Sequence, residues 1–320
     1  MTFSGTAAAG IFKAGKKAAV AAPTTPATKA ANALAAATND GSSAYEALVD
    51  AKKAEDKANA GSAAVDAAKD FTVYTGIDIN IKASTTTDNG MTISAATDMG
   101  AGSIPDIADK ELDAQTDDLT APEVKIGYNG VTIELQSEGV DDYYDGDLEN
   151  YDIGVSGAFG GLSYGIALET ERNTASDYSA TIGYTVAGVS LTINQNDVDG
   201  AEDQRSISAS YTMGAVKATL KNDNKGAAKD VNSLTLAYTA GPAVITASMK
   251  DDKNNNTNKD GKQSWDLGVV YTTGAYTISA STDESSAWEA DVAYDLGGGA
   301  TLNVATDSKE TVIAGVSFAF

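Results

Sequence analysis

The sequence predicts an all-β chain, a transmembrane antiparallel β-barrel. Three observations carry that reading. From residue 71 onward apolar and polar residues alternate with a period of two, as half-exposed strands require. Tight turns alternate with longer polar connections, the asymmetry of barrels that cross a bilayer. Aromatic residues recur just ahead of the turns: Tyr128, Tyr184, Tyr211, Tyr238, Tyr271 and Tyr294 each precede a glycine by two to four residues. Phe159 and the last residue, Phe320, continue the series. Aromatics at one end of every second strand form the girdle expected at a membrane interface.

The elements follow in order. A first strand over 3–12 leads into residues 13–70, which are alanine-rich and hold eight lysines against seven acidic residues. Within them 44–69, with Glu46, Asp50, Lys53 and Lys57, is the strongest helix candidate. Its face carries mostly alanine, so it must pack closely, pair with a copy or stay partly mobile. Next, 71–82 sets Val73, Ile77, Ile79 and Ile81 against Asp78, Asn80 and Lys82. The segment 131–136 alternates Val, Ile and Leu with Thr132, Glu134 and Gln136. In 265–271 one face reads Trp265, Leu267, Val269, Tyr271, and in 312–320 it reads Val312, Ala314, Val316, Phe318, Phe320.

Short turns fall at 85–90, 129–130, 160–161, 187–188, 213–214, 241–242, 273–274 and 297–299. Between them lie longer connections such as 101–120, 138–150, 195–204, 222–230 and 251–262. Eight turns with both termini at the short-turn rim imply 18 strands in one domain over 1–320; a count of 16 stays open. The region 13–70 is then an insertion on the long-loop side.

Alternation alone does not say which face is inside. A soluble sandwich buries its apolar face, whereas a membrane barrel turns it to lipid. Here the apolar face is thinly populated for a core, the other face suits a wetted lumen, and the aromatics sit at strand ends. These favour the membrane barrel.

Composition excludes much else. The 320 residues include 45 acidic and 22 basic ones, no histidine and no cysteine. Disulfides, iron–sulfur clusters and thiolate metal sites are ruled out, and without histidine no Ser–His arrangement forms, so no enzyme is expected. The acidic balance argues against nucleic acid as a partner. No apolar run is long enough for a transmembrane helix. The first residues enter directly into strand-like sequence, so an exported protein would be represented by its mature form with a start Met.

Parity assigns Asp78, Lys82, Lys125, Glu134, Asp152, Glu169, Lys217, Lys221, Asp266, Glu289 and Asp291 to the inner wall. Both signs facing a lumen would impose a transverse field, and the acidic excess outside 13–70 favours cations. Asp141, Asp142, Asp145 and Asp147, with Glu149, make the best metal candidate. Carboxylates so dense repel unless a hard cation such as Ca²⁺ takes up their oxygens, although the spacing is not that of an EF-hand. An acidic solvated loop is the alternative, and no cofactor is required.

Five segments resemble the general porins of the outer membrane of Rhodobacter-type α-proteobacteria. They are Phe3-Ser-Gly-Thr-Ala-Ala-Ala-Gly10, Thr87-Asp-Asn-Gly-Met-Thr-Ile-Ser94, Ser156-Gly-Ala-Phe-Gly-Gly161, Tyr294-Asp-Leu-Gly-Gly-Gly299 and Gly315-Val-Ser-Phe-Ala-Phe320. The terminal aromatic is similar to the signal read by the outer-membrane assembly machinery. The resemblance implies a homotrimer of water-filled barrels, set in outer-membrane lipid and lipopolysaccharide, that passes ions and small hydrophilic solutes by passive diffusion. In such porins the third long loop folds into the lumen. Here the corresponding 138–150 is short, relatives usually have 16 strands, and they lack an insertion like 13–70. That insertion is expected to fold into the lumen and narrow it, to cap the barrel or touch neighbouring protomers, or to stay on the surface. A surface or adhesive protein anchored by its barrel is the competing class.

Overall fold

The computed structural model describes residues 1–17, 65–144, 150–170, 177–197, 202–226, 230–252 and 263–320. The expected helix over 44–69 falls largely outside these residues. The described ones hold nineteen strands and no helix. They are β1 (Thr2–Lys13), β2 (Thr72–Thr86), β3 (Thr92–Asp106), β4 (Glu111–Ala114), β5 (Glu123–Tyr128), β6 (Val131–Asp141) and β7 (Asn150–Phe159). Then come β8 (Leu162–Leu168), β9 (Tyr178–Val186), β10 (Val189–Asp197), β11 (Gln204–Met213), β12 (Val216–Lys225) and β13 (Val231–Ala240). The last are β14 (Ala243–Asp252), β15 (Ser264–Thr273), β16 (Tyr276–Asp283), β17 (Trp288–Gly297), β18 (Ala300–Asp307) and β19 (Val312–Ala319).

Every pairing is antiparallel between neighbours, and β1 pairs with both β2 and β19, so the sheet closes on itself. β5 pairs directly with β3, leaving β4 as an addition to the far end of β3. The closed ring therefore has 18 strands, the larger of the two expected counts. Closure satisfies the edge groups that lipid could not.

Turn chemistry sets the register at the short-turn rim. Asn129 and Gly130 both adopt positive φ (49° and 81°), the two-residue loop whose twist matches the flanking strands. Gly241 alone is left-handed before Pro242, whose ring keeps φ negative; this is the other favoured two-residue turn.

One face of the ring is apolar and exposed. Val73 is 80% exposed, and Leu236, Leu267, Val292, Val304 and Val316 stand open on the same side. The opposite face buries a cluster of Ala8, Tyr74, Ala305 and Ile313. Tyr74 on β2 is level with Gly10 on β1, which is level with Gly315 on β19. At the long-loop rim the chain 14–17 is tied to 65–68: Lys17 and Val65 exchange backbone hydrogen bonds of 2.9 Å, and Ala68 N–H donates to Ala14 O at 2.8 Å. Both roots of the insertion thus lie side by side above β1.

Candidate functional site

Two segments leave the wall on the long-loop side and run over its polar face. The first begins at Gly102, level with Gly76, where φ is +74°. A Cβ on Gly76 would overlap the Ser103 carbonyl, so the chain crosses β2 at a point where no side chain stands. From there 103–106 pairs with β4 rather than β2. The Asp106 carboxylate accepts the N–H groups of Ala108 (2.7 Å) and Asp109 (3.1 Å) and closes the hairpin turn. Ile104, Ile107 and Leu112 pack on the buried cluster together with Phe12.

At the hairpin tip Lys110 is 5% exposed, with φ +59°. Its Nζ donates to Ile107 O (2.6 Å) and Ala108 O (3.3 Å). It also lies 3.5 Å from Glu289 Oε2 and 3.8 Å from Asp291 Oδ1, both on β17. A segment that leaves β3 and touches β2, β1, β19, β18 and β17 on the face opposite Val73 lies inside the ring. Between its tip, the chain 14–17 and the turn 307–311 is a cavity of about 640 Å³ lined by Phe12, Lys16, Asp109, Leu112 and Lys309 among others.

The second segment follows β6 and runs the other way. Tyr143 N–H donates to Ser179 Oγ on β9 (2.8 Å), and its ring covers Gly165 on β8, where a Cβ would overlap it. Burial pushes the Tyr143 phenol above its usual range, and the Glu134 charge adds to that. The Tyr144 hydroxyl reaches Asn224 O on β12 at 3.3 Å. Tyr151 donates to Asn196 Oδ1 on β10 at 2.5 Å, fixing the start of β7. One segment therefore covers β17–β2, and the other covers β8–β12.

The family model for Gram-negative porins matches residues 2–313. The chain belongs to the Gram-negative porin family. This porin is an outer-membrane channel protein and not an enzyme. Its fold is similar to that of the porin of Rhodopseudomonas blastica, whose solved variants are matched over 100% of this chain and 99% of theirs. A triple mutant gives a TM-score of 0.53 at 14% identity, a second variant 0.53 at 16% and a third 0.52 at 15%. No curated protein sequence matches it significantly.

The porin's charged residues fall as follows. Asp78 and Lys82 share the inner face of β2 with Tyr74. On β5 and β6, Lys125 is ion-paired with Glu123 and lies 3.5 Å from Glu134. Lys217 and Lys221 share one face of β12, and Lys221 lies 2.9 Å from Asp223. Asp266 on β15 accepts from Ser248 at 3.1 Å, and Glu289 and Asp291 meet Lys110. Two residues sit differently. Asp152 is buried and its Oδ2 accepts the Thr170 N–H (3.0 Å) and hydroxyl (2.5 Å). Glu169 lies one residue beyond β8, where its carboxylate also accepts the Thr170 N–H at 2.8 Å. Both organise a loop end.

Of the aromatics, Tyr128, Phe159, Tyr184, Tyr211, Tyr238, Tyr271 and Phe320 are exposed at the short-turn rim. Tyr294 is partly covered, its ring centroid 4.5 Å from that of Tyr276. A second set lies six residues back along the same strands: Tyr178 before Tyr184, Trp265 before Tyr271, Trp288 before Tyr294. Six residues of strand span roughly 20 Å, which separates two aromatic belts across an apolar band.

Asp145, Asp147 and Glu149 lie outside the described residues. The carboxylate of Asp142 accepts the Tyr144 N–H at 2.6 Å, and among the described residues no three carboxylates are placed to hold a metal.

Proposed function

We propose that this porin is a cation-preferring diffusion channel whose aperture lies between the hairpin 103–114 and the segment 142–144. The observation that carries this is the pair of inward crossings on opposed sectors of the wall. A ring of 18 strands is wide enough for an aqueous channel, and what enters its lumen sets size exclusion. The hairpin supplies a narrowing that does not depend on whether 13–70 enters the lumen, caps the barrel or stays on the surface; the described roots of that insertion, 14–17 and 65–68, stand at the rim.

Charge preference follows from what faces the remaining passage. Salt screens beyond about 8–10 Å, so remote surface charge counts for little. The inner face of β15–β17 carries Asp266, Asp283, Glu289 and Asp291, and the basic residues of β12, Lys217 and Lys221, stand on another sector. The passage is acidic on one side and mixed elsewhere. The solutes are ions and small hydrophilic molecules, and the assembly is a homotrimer as the family resemblance implies.

The test is reconstitution in planar bilayers. Stepwise ohmic conductance, rising when 104–113 is replaced by two glycines, supports the reading. A protein that inserts but never conducts is an anchor and not a channel. Mass measurement in detergent at one protomer rather than three would overturn the trimer.

A further inference from the structure

We propose that Lys110 is a specificity-determining residue, a latch that holds the hairpin 103–114 across the lumen and cancels part of the acidic wall at β17. The inference rests on the reading that this hairpin narrows the passage.

Four contacts converge on one ammonium. Ile107 O and Ala108 O close the hairpin around Nζ, so the amine belongs to the turn's own structure. Glu289 and Asp291 stand two residues apart on one face of β17 and receive it from the wall. The Lys110 side chain is only 3% exposed, whereas Glu289 and Asp291 keep 46% and 23% of theirs. The carboxylates face the lumen water while the lysine is sealed beneath them. Exposed ion pairs fix little, but an amine this covered has no solvated alternative close by. Its backbone agrees: a lysine at φ +59° occupies a region that non-glycine residues adopt sparingly, and surroundings must enforce it.

Two consequences follow for permeation. Mechanically, the hairpin is joined to the ring at both ends: through β3 at Gly102 and through Lys110 at β17, on the far side of β2, β1, β19 and β18. The apolar cluster of Ile104, Ile107 and Leu112 holds its middle, and the lysine fixes its tip. Electrostatically, one positive charge is placed against two negative ones that face the passage. Ser279 Oγ, 2.5 Å from Asp291 Oδ2, holds that carboxylate from the wall side and leaves its other oxygen toward Lys110. Without the lysine the sector would present two unopposed carboxylates to a passing cation, at a distance where screening is weak.

The experiment compares variants of the full chain, refolded into planar bilayers in dilute KCl, by conductance and reversal potential. Lys110→Met removes the charge at similar length. The expected result is a K⁺/Cl⁻ permeability ratio raised about twofold or more together with a larger single-channel conductance. Lys110→Arg should restore both. Leu220→Met, on the lipid-facing side of β12 away from the hairpin, should leave both unchanged. Should Lys110→Met fail to fold, the double change Glu289→Gln with Asp291→Asn tests the same contact: the reversal potential moves toward the anion side and the conductance still rises. If the hairpin excision raises conductance while Lys110→Met matches the unsubstituted protein, the latch is wrong and the constriction stands. If the excision changes nothing, the constriction itself is wrong.

Discussion

Tyr74 on β2 lies flat over two neighbouring strands, so that a Cβ on Gly315 of β19 would overlap its hydroxyl and one on Gly10 of β1 would come within 2.6 Å of it. The two glycines are the floor on which the tyrosine rests, and the tyrosine is the surface on which the hairpin packs. Gly315→Ala should therefore lower stability by about 1–3 kcal/mol, the usual cost of overfilling a packed site. Combined with Tyr74→Ala, the same change should cost less but still destabilise, because the new Cβ would still come within 2.5 Å of the Ala9 carbonyl oxygen. Urea unfolding in liposomes gives both values.

Gly102 turns the chain inward with φ +74°, and a Cβ there would also meet the Thr75 carbonyl. Gly102→Ala is expected to lose about 1–2 kcal/mol and to unseat the hairpin. Single-channel recording should show a larger or noisier conductance. The original conductance would mean that the hairpin tolerates a second path.

The assignment of faces is tested by arginine. Leu236 is exposed mid-strand on the outer face of β13, and Thr235 beside it is level with Ser248, which bonds Asp266 on the inner face. Leu236→Arg should cost about 2–4 kcal/mol in lipid, whereas Thr235→Arg should fold normally and shift the reversal potential toward anions. Equal costs for the two would contradict the barrel's orientation.

At the mouth, Lys16 is ion-paired with Glu310, and Lys16 N–H donates to Lys309 O at 2.7 Å. The hydrogen bond from Lys16, then its charge, holds the Glu310 carboxyl below its ordinary range; the same bond raises Lys16. A depressed carboxyl contributes stability that is present above the unfolded value, about 4.3, and lost as pH falls through the folded one. The raised lysine contributes below the unfolded value, about 10.4, and loses it above. Both groups are exposed, so the effect is local: the protection of the Lys16 amide against hydrogen exchange, taken relative to its intrinsic rate at each pH, should fall below about pH 4 and hold between pH 5 and 9. Protection that is constant through the acid range would show the pair to be idle.

What was legible in the sequence was what repeats. Period-two alternation and the glycine turns gave the eighteen strands, and parity placed Asp78, Lys125, Asp266, Glu289 and Asp291 on the polar face. The hairpin 103–114 was harder. It lies in a polar connection, and its contacts join Ile104 and Leu112 to Ala305 and Ile313, some two hundred residues away. Its signals were present in Gly100-Ala-Gly102 and in isoleucines spaced through an otherwise polar loop. Asp152 and Glu169 had the parity of wall residues, but at strand ends a neighbouring Thr170 captures both, which alternation does not encode. The second aromatic belt escaped because Tyr178, Trp265 and Trp288 sit at the long-loop ends of their strands, where no glycine turn flags them.

The proposed channel is water-filled, narrowed from two sides and lined by excess carboxylate. Its most direct test is the zero-current potential of the reconstituted protein across a tenfold KCl gradient. The predicted result is stepwise ohmic conductance with K⁺ favoured over Cl⁻ by about twofold or more, and a preference that weakens as salt is raised. A reversal potential of anion-selective sign, or insertion without conductance, would contradict it.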